Sequence, residues 1–322
     1  MDRLGRVRQY VDVAHRRGLE IGPLVSPIVT PDMGEVYYAD HASAEELHQK
    51  YLHDPGVDVD LIAPVDFVWG DKTLAECAAS AAPFDYVVAS HVVEHVPDLV
   101  GWLREVAQVL TPGGRLCLVV PDRRLTFDVR RRPTNLAEIV EAYVLKFRRP
   151  PTRAIFDHFS RHVDVDTGAL WQGTTAYPED VPVDLSMGWA QVQRAQTGEY
   201  LDTHCWVFSD GEFVELLGEL MRMGLLDFKF AGFAPPLIGE YDFFACLERL
   251  DDTLSPEDRL SNALASLPAP AEMATVPLSA AQTDPVGVMA TVMSEKEVAL
   301  ILRKREVMAR ARSLLQRGRR RS

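Results

Sequence analysis

GLEIGPL at residues 18–24 and VYYAD at residues 36–40 decide the fold of this 322-residue chain. Both stretches are typical of buried strands. The first ends in a glycine turn at Gly22, and the second ends in the carboxylate of Asp40. We expect a short helix between them. In a doubly wound sheet this order builds half of a nucleotide-type site, because the turn lets backbone approach a ligand and the acid can hold a ribose.

The glycine content of the turn separates two classes of cofactor. A dinucleotide fingerprint needs three glycines in the pattern G-x-G-x-x-G, for the turn, the pyrophosphate and the packing of the helix. Here Gly22 is followed by Pro23, Leu24 and Val25, which leave little room for a pyrophosphate. The turn therefore favours S-adenosylmethionine, an adenosine with an amino-acid tail and no phosphate, over NAD.

Two further segments carry the same alternation of strand and helix. FDYVVASHVVEHV at residues 84–96 predicts a strand with small or polar residues at its end, and VLTPGGRLCLVVPD at residues 109–122 predicts a turn and another apolar strand. Together with LEIG at residues 19–22, they resemble the class I S-adenosylmethionine-dependent methyltransferases over roughly residues 14–125 and again near 205–250. VPDRRLTFDVRRRPTNLAEIVEAY (residues 120–143) and HCWVFSDGEFVELL (residues 204–217) resemble a subgroup associated with sugar and surface-polysaccharide modification.

The resemblance implies roles for individual residues. The first turn would face the methionine part of the cofactor, the acid after the second strand would bind the ribose, and an acid near the third strand would lie by the adenine amino group. The end of the fourth strand would lie beside the reactive methyl. A proline after the turn glycine departs from the family's glycine-rich motif. The implied cofactor-binding residues are Glu20, Gly22, Pro23, Asp40, Asp66, Ser90 and His91.

The predicted fold is α/β, a doubly wound, mostly parallel seven-stranded sheet with an inserted helical cap and a C-terminal helix. We expect five regions along the chain. They are the cofactor-binding half (1–125), the cap or acceptor region (126–200), the last helix and strands of the sheet (201–250), a linker (251–292) and a basic C-terminal helix (293–322).

Composition narrows the class of partner. The net charge is −13, although residues 303–322 carry nine Lys or Arg against one Glu. The rest of the chain therefore carries a larger negative charge than the total. This argues against nucleic acid as a substrate, because phosphate binding needs a basic surface. The chain has no run of 18 apolar residues, so we expect no membrane span. Four scattered cysteines and the lack of a signal-peptide pattern predict a cytoplasmic protein.

Transfer of a methyl group to a hydroxyl also requires removal of a proton, and histidine suits that role near neutral pH. The candidate bases are His91, His158 and His204. A divalent ion such as Mg²⁺, which would lower the pKa of a sugar hydroxyl, is an open alternative. Its candidate ligands are Asp122, Asp202 and His204, although no spacing here is specific for a metal.

The leading hypothesis is O-methylation of a sugar or glycoside hydroxyl. Three alternatives stay open. They are methylation of another small metabolite such as a polyketide or an amine, a non-catalytic partner subunit that keeps the fold, and a nicotinamide dehydrogenase. A sugar site would present carboxamide and acid groups with one stacking aromatic ring, whereas a flat acceptor would need an apolar slot. The predicted C-terminal helix leaves a homodimer possible.

Overall fold

The computed structural model describes residues 2–70, 72–173 and 182–276, which lie within one compact unit of residues 1–277. A seven-stranded sheet forms its centre, in the order β3-β2-β1-β4-β5-β7-β6. Of these strands, β7 runs antiparallel to both of its neighbours, β5 and β6. The predicted mostly parallel, doubly wound sheet is confirmed. The strands are β1 (Gly18–Ile21), β2 (Val36–Asp40), β3 (Phe67–Val68), β4 (Phe84–Ser90), β5 (Leu110–Pro121), β6 (Phe228–Ala234) and β7 (Asp242–Arg249).

Helices surround this sheet, and none in the described ranges is long and apolar enough to cross a membrane. Capping residues set several of their starts: Ser43 with Glu46 and Ser209 with Glu212 form capping boxes, as their spacing predicts. The α-helices are α1 (Arg3–Arg8), α2 (Ala44–Tyr51), α3 (Leu74–Cys77), α4 (Leu99–Val109), α5 (Leu136–Leu145), α6 (Thr152–Arg161), α7 (Thr167–Gln172), α8 (Leu185–Gln196), α9 (Asp210–Arg222) and α10 (Pro256–Ala265).

The two faces of the sheet bury different sets of side chains because successive residues of a strand point to opposite sides. In β1, Leu19 and Ile21 pack into the larger core, which also takes residues of α4 and α9. The other face holds a smaller cluster, in which Tyr86 and Val88 of β4 meet Val7 of α1 and Ile28 of the first connection. This burial on both faces explains why the strand sequences read as nearly continuous apolar runs.

The first connection, residues 22–35, contains no helix, so the helix expected there is wrong. Pro23, Pro27 and Pro31 recur through this segment, and proline removes the amide donor and clashes with the preceding helical turn. The carboxylate of Glu20 accepts hydrogen bonds from the backbone N–H of Ile28 at 2.7 Å and of Val29 at 3.0 Å. These bonds hold the segment against the sheet as an extended loop.

The region after the sheet also differs from expectation. Within the predicted linker 251–292, α10 is an ordered helix capped by Ser255 and packed against α9 and β6. The linker interpretation is therefore wrong for residues 256–265. Residues 277–292 and the C-terminal helix predicted within 293–322 lie outside the described residues.

Helical segments fill the described part of the inserted region 126–200, as predicted. Helix α5 packs against α4 of the main body, and α6 packs against α8. Asn135 begins α5 and forms a capping box with Glu138. The exact limits of the five predicted regions remain predictions.

Candidate functional site

A cavity of about 420 Å³ opens at the edge of the sheet where β1, β2 and β4 end. Ligands bind at this edge in open α/β sheets, because the loops that follow parallel strands meet there. Gly22 follows β1, Asp40 ends β2 and His91 follows β4, and all three line the cavity. Tyr200 and Asp202 close it from the end of the inserted region. The strand-end residues that the sequence indicated are thus brought together.

Asp40 is a buried carboxylate, 6% exposed, at the end of β2. Its Oδ1 accepts a hydrogen bond from the backbone N–H of His41 at 2.6 Å and lies 2.5 Å from His41 Nδ1. The carboxylate is held in one orientation by these contacts while it lines the cavity. It can therefore accept hydrogen bonds from a polar ligand such as a ribose.

The turn after β1 has a backbone that favours glycine. Gly22 has a φ of +66°, and a Cβ there would lie 3.0 Å from Cγ2 of Val92. Leu24, which also lines the cavity, has a φ of 44°. Glu20 lies on the other side of the strand, bonded to Ile28 and Val29, and it shapes the turn without lining the cavity. Burial raises the pKa of Glu20 to about 7, against the lowering effect of those two hydrogen bonds.

Three other residues implied in cofactor binding also do not line the cavity. Pro23 lies within the turn, and its carbonyl accepts the N–H of Ser26 at 2.9 Å. Asp66 is exposed and accepts the backbone N–H of Tyr38 at 2.8 Å, which joins the start of β3 to β2. The hydroxyl of Ser90 is buried and has no hydrogen-bond partner within the described residues. On the side of β3, the cavity wall is formed by Trp69 and Gly70 instead.

His91 is held between two carboxylates. Its Nε2 lies 3.3 Å from Asp242 Oδ2, and its Nδ1 lies 3.5 Å from Glu94 Oε1. Arg3 donates to the same Asp242 oxygen at 2.7 Å. Burial lowers the pKa of His91, but the contacts with Asp242 and Glu94 outweigh that effect and raise it to about 9. At neutral pH this imidazole therefore holds its proton between Asp242 and Glu94 and is poorly suited to remove a proton from an acceptor.

His95, which the sequence analysis did not select, also lines the cavity. Its Nδ1 lies 2.8 Å from Asp202 Oδ1, an ion-pair contact rather than a well-directed hydrogen bond. Burial lowers the pKa of His95, but the contact with Asp202 and the charge of Glu94 raise it above its ordinary value overall. The sequence signal for His95 was its position next to Glu94 in the turn after β4.

The other two predicted bases do not reach the cavity. His158 lies in α6, and its Nδ1 accepts the backbone N–H of His204 at 3.3 Å. Burial lowers the pKa of His158 to about 3, so the ring is neutral and takes part in packing. His204 is 7% exposed, and its Nδ1 lies 2.5 Å from Asp128 Oδ2. Its ring packs edge-on against His95, with 4.6 Å between centroids.

The three metal-ligand candidates are not in one place. Asp122 is fully buried and binds Arg124, with Oδ2 2.6 Å from Arg124 Nη2. Its Oδ1 accepts the backbone N–H and the Nε–H of Arg124, both at 2.9 Å. Both oxygens of Asp122 are therefore committed to structural contacts. Asp202 contacts His95 on the cavity wall, and His204 lies beside the same histidine.

Aromatic rings and charged side chains of both signs, including the carboxylates of Asp98 and Glu105, make up much of the rest of the cavity wall. The lining contains no Asn or Gln among the described residues. Such a wall fits flat, apolar surface better than a polyhydroxylated ring. The aromatic lining residues are Tyr51, Trp69, Trp102, Phe147 and Tyr200, and the cationic ones outside the histidines are Lys50, Arg148 and Arg149.

Comparison with known proteins agrees with this geometry. A family model described as a methyltransferase domain matches residues 39–220, more than half of the chain. A ubiquinone biosynthesis O-methyltransferase from Caulobacter sp. (strain K31) is 39% identical over 75 residues. That match covers 23% of this chain and 27% of the relative, so the chain matches only about a quarter of the relative's length.

Two solved structures are similar at low sequence identity. A SAM-dependent methyltransferase from Methanosarcina mazei is 16% identical, with a TM-score of 0.37, over 76% of this chain and 97% of its own. Magnesium protoporphyrin IX methyltransferase from Synechocystis PCC 6803, solved with bound SAM, is 12% identical, with a TM-score of 0.35, over 76% of each chain.

Proposed function

The chain belongs to the methyltransferase-domain family, and from that premise we propose that it transfers the methyl group of S-adenosylmethionine to a hydroxyl oxygen of a small molecule. The observation that carries the proposal is the placement of Asp40 and Gly22 on the wall of one cavity at the carboxyl edge of the sheet.

The first connection supports this cofactor over NAD. A pyrophosphate binds at the N-terminus of a helix that follows the glycine turn, where free N–H groups and the helix dipole meet the charge. Residues 22–35 form a loop without a helix, and two of its N–H groups already bind Glu20. S-adenosylmethionine carries no phosphate and does not need that feature. Its ribose hydroxyls would donate to Asp40, and its methionine tail would lie along Gly22 and Leu24.

When bound, this cofactor supplies an electrophilic methyl group on a sulfonium sulfur. Transfer of this methyl group would join its carbon to the acceptor oxygen as the carbon–sulfur bond broke, with the electron pair left on the sulfur. The hydroxyl proton then passes to a base. The chain's part is to align the acceptor with the methyl group and to exclude water. Of the three predicted bases, only His91 lines the cavity, and its contacts with Asp242 and Glu94 keep it protonated at neutral pH, so the role of base is not assigned to it.

The choice of an oxygen acceptor has one support. The 39% identical segment comes from a protein named as an O-methyltransferase. The sugar or glycoside suggested by the sequence remains one candidate acceptor. The five aromatic side chains of the wall, and the lack of a lining carboxamide in the described residues, favour the alternative of a flat hydroxylated ring.

Calorimetric titration with S-adenosylmethionine and S-adenosylhomocysteine tests the cofactor. Replacement in Asp40→Ala removes at least one hydrogen bond to a charged acceptor, worth about 1.5–3 kcal/mol, so we expect Kd to rise at least roughly 10- to 100-fold. Asp60→Ala, at an exposed aspartate outside the cavity, is the matched control and should bind like the wild type.

Equal binding by both variants would refute the ribose role of Asp40, and failure of the wild type to bind either nucleoside would refute the function. A panel of phenols, catechols and glycosides, assayed with radiolabelled methyl donor, then separates the two acceptor classes. Label transferred to the glycosides alone would restore the sugar hypothesis.

A further inference from the structure

We infer that Glu94, His95 and His204 form a buried binding site for a divalent transition-metal ion beside the cavity, which His95 lines. One ligand atom from each residue can be chosen so that all lie within 4.8 Å of one another. Glu94 and His95 come from the turn after β4, and His204 comes from the segment that leads to α9, so the fold brings the set together across 109 positions of sequence.

The first support is the state of Glu94. Its side chain is 1% exposed, and neither carboxylate oxygen has a hydrogen-bond partner within the described residues. Buried carboxylates are normally paired or bound to a metal, because an uncompensated charge away from water is costly. The histidine contacts of Oε1 are long, 3.5 Å to His91 Nδ1 and 4.0 Å to His95 Nε2. Apart from these long contacts with His91 and His95, the acceptor capacity of the carboxylate is unused.

The second support is the orientation of the histidines. His204 contacts Asp128 through Nδ1 at 2.5 Å, and Asp128 in turn accepts from Arg131 at 2.8 Å. His95 contacts Asp202 through Nδ1 at 2.8 Å. Metal-binding histidines typically place one nitrogen against a carboxylate, which fixes the ring and leaves the other nitrogen for the ion. Both Nε2 atoms are left in this way.

The distances also suit an ion. Glu94 Oε1 and His95 Nε2 lie 4.0 Å apart, within about 1 Å of the roughly 3.3 Å that separates two ligand atoms of a tetrahedral ion with bonds of about 2.0–2.1 Å. Small rotations of the two rings would close the rest of the set. Because His95 lines the cavity, coordination positions not used by the protein would face the acceptor.

The donor types select the class of metal. Mg²⁺ prefers oxygen ligands and keeps several waters, whereas two imidazoles and one carboxylate suit Zn²⁺ or Fe²⁺. This set differs from the Asp122, Asp202 and His204 expected for Mg²⁺. Asp202 moves to a supporting position behind His95, and Asp122 is excluded by its contacts with Arg124. One point rests on the proposed function: in a methyl transfer to oxygen, the ion would lower the pKa of the acceptor hydroxyl.

The test is direct measurement of metal binding by the untagged, full-length protein, loaded with Zn²⁺ or Mg²⁺, desalted and analysed by mass spectrometry, with calorimetry for affinity. We expect one equivalent of Zn²⁺ and no retained Mg²⁺. Glu94→Gln keeps the shape of the side chain and should weaken Zn²⁺ binding at least 100-fold. Asp128→Asn, behind His204, should weaken it about 10- to 100-fold.

His158→Asn is the matched control, since this ring contacts His204 but is not in the ligand set. It should bind Zn²⁺ like the wild type. Wild-type and Glu94→Gln proteins that retain equal Zn²⁺ would overturn the inference, as would a wild type that retains none. Circular dichroism of each variant identifies a failure to fold. If Glu94→Gln does not fold, the Zn²⁺ affinity of Asp128→Asn decides whether the metal site stands.

S-adenosylmethionine binding, measured on the same samples, separates this inference from the proposed function. A wild-type protein that binds S-adenosylmethionine but retains no Zn²⁺ overturns the metal site alone. Protein that binds Zn²⁺ without the cofactor overturns the proposed function and leaves the metal site standing.

Discussion

The buried carboxylate of Glu20 should make the stability of this protein fall as pH rises, and Glu20→Gln should remove that dependence. Glu20 is 1% exposed, and burial raises its pKa from 4.5 to about 7. Between these values the unfolded chain has lost the proton while the folded protein still holds it. Unfolding then releases a proton, so rising pH favours the unfolded state until the folded group ionises near pH 7.

The size of the effect follows from the shift. One pKa unit corresponds to 1.36 kcal/mol, so Glu20 should cost the wild type about 3 kcal/mol of unfolding free energy between pH 4.5 and pH 8. Glutamine has the same shape and does not titrate, so Glu20→Gln should lack this loss. Denaturant unfolding of both proteins at half-unit steps over this range measures the difference.

Other groups contribute to the pH dependence of both proteins equally. His91, whose pKa is raised to about 9, gives stability that is fully present below about pH 6.5 and lost as pH rises through 9. The difference between wild type and Glu20→Gln cancels this contribution. Glu45→Gln, at an exposed position of α2, controls for the loss of one surface charge. Parallel stability curves for wild type and Glu20→Gln would refute the buried-carboxylate argument.

Two further variants probe the cavity and the histidine cluster. Gly22→Ala should lower the affinity for S-adenosylmethionine, measured by calorimetry, and cost about 1–2 kcal/mol of unfolding free energy. Gly113 has a φ of +76° and no atom within 4 Å of the position that an added Cβ would take, so Gly113→Ala should show the loss of stability alone. Equal affinity in both would contradict the close approach at Gly22. His158→Asn should keep kcat within about twofold at all pH values, because an Asn oxygen can accept the N–H of His204, whereas loss of a true base costs roughly 10²–10⁴-fold.

The sheet was predictable because its signals are local. Apolar runs such as residues 84–90 and 116–120 became β4 and part of β5, and Ser43 began α2 through a capping box that four residues define. The prediction failed in the first connection, where the length of the segment does not decide between a helix and a loop. The stretch between β1 and β2 has the length of a short helix, but its three prolines and the anchor on Glu20 make it a loop.

The site was predictable in its strand-end residues and less so elsewhere. Gly22, Asp40 and His91 reach the cavity because a parallel sheet brings its strand ends to one edge. Asp66 comes before β3 rather than after it, and its carboxylate accepts the backbone N–H of Tyr38. Whether a side chain faces the ligand or its own backbone depends on a torsion that neighbouring strands determine, and no local pattern reports it.

The contact between His95 and His204 depends on a strap, residues 204–206, that no local pattern predicts. The backbone N–H of Cys205 donates to the carbonyl of Glu94 at 2.7 Å, and the indole N–H of the fully buried Trp206 donates to the carbonyl of Val96 at 2.6 Å. These bonds fasten the end of the inserted region to the turn after β4. These bonds therefore tie together two sides of the cavity, the side of Tyr200 and Asp202 and the side of the strand ends.

This shared support has a consequence for the chemistry. His95 and His204 keep their relative position because the backbone bonds at Glu94 and Val96 hold the two segments together, independently of any ligand. A site fixed in this way needs little reorganisation when an ion or acceptor binds, and preorganised polar groups contribute most to catalysis when they need not move. The inserted region accordingly works as a rigid wall at this point, so changes in acceptor choice should arise from side chains such as Tyr200 rather than from movement of the strap.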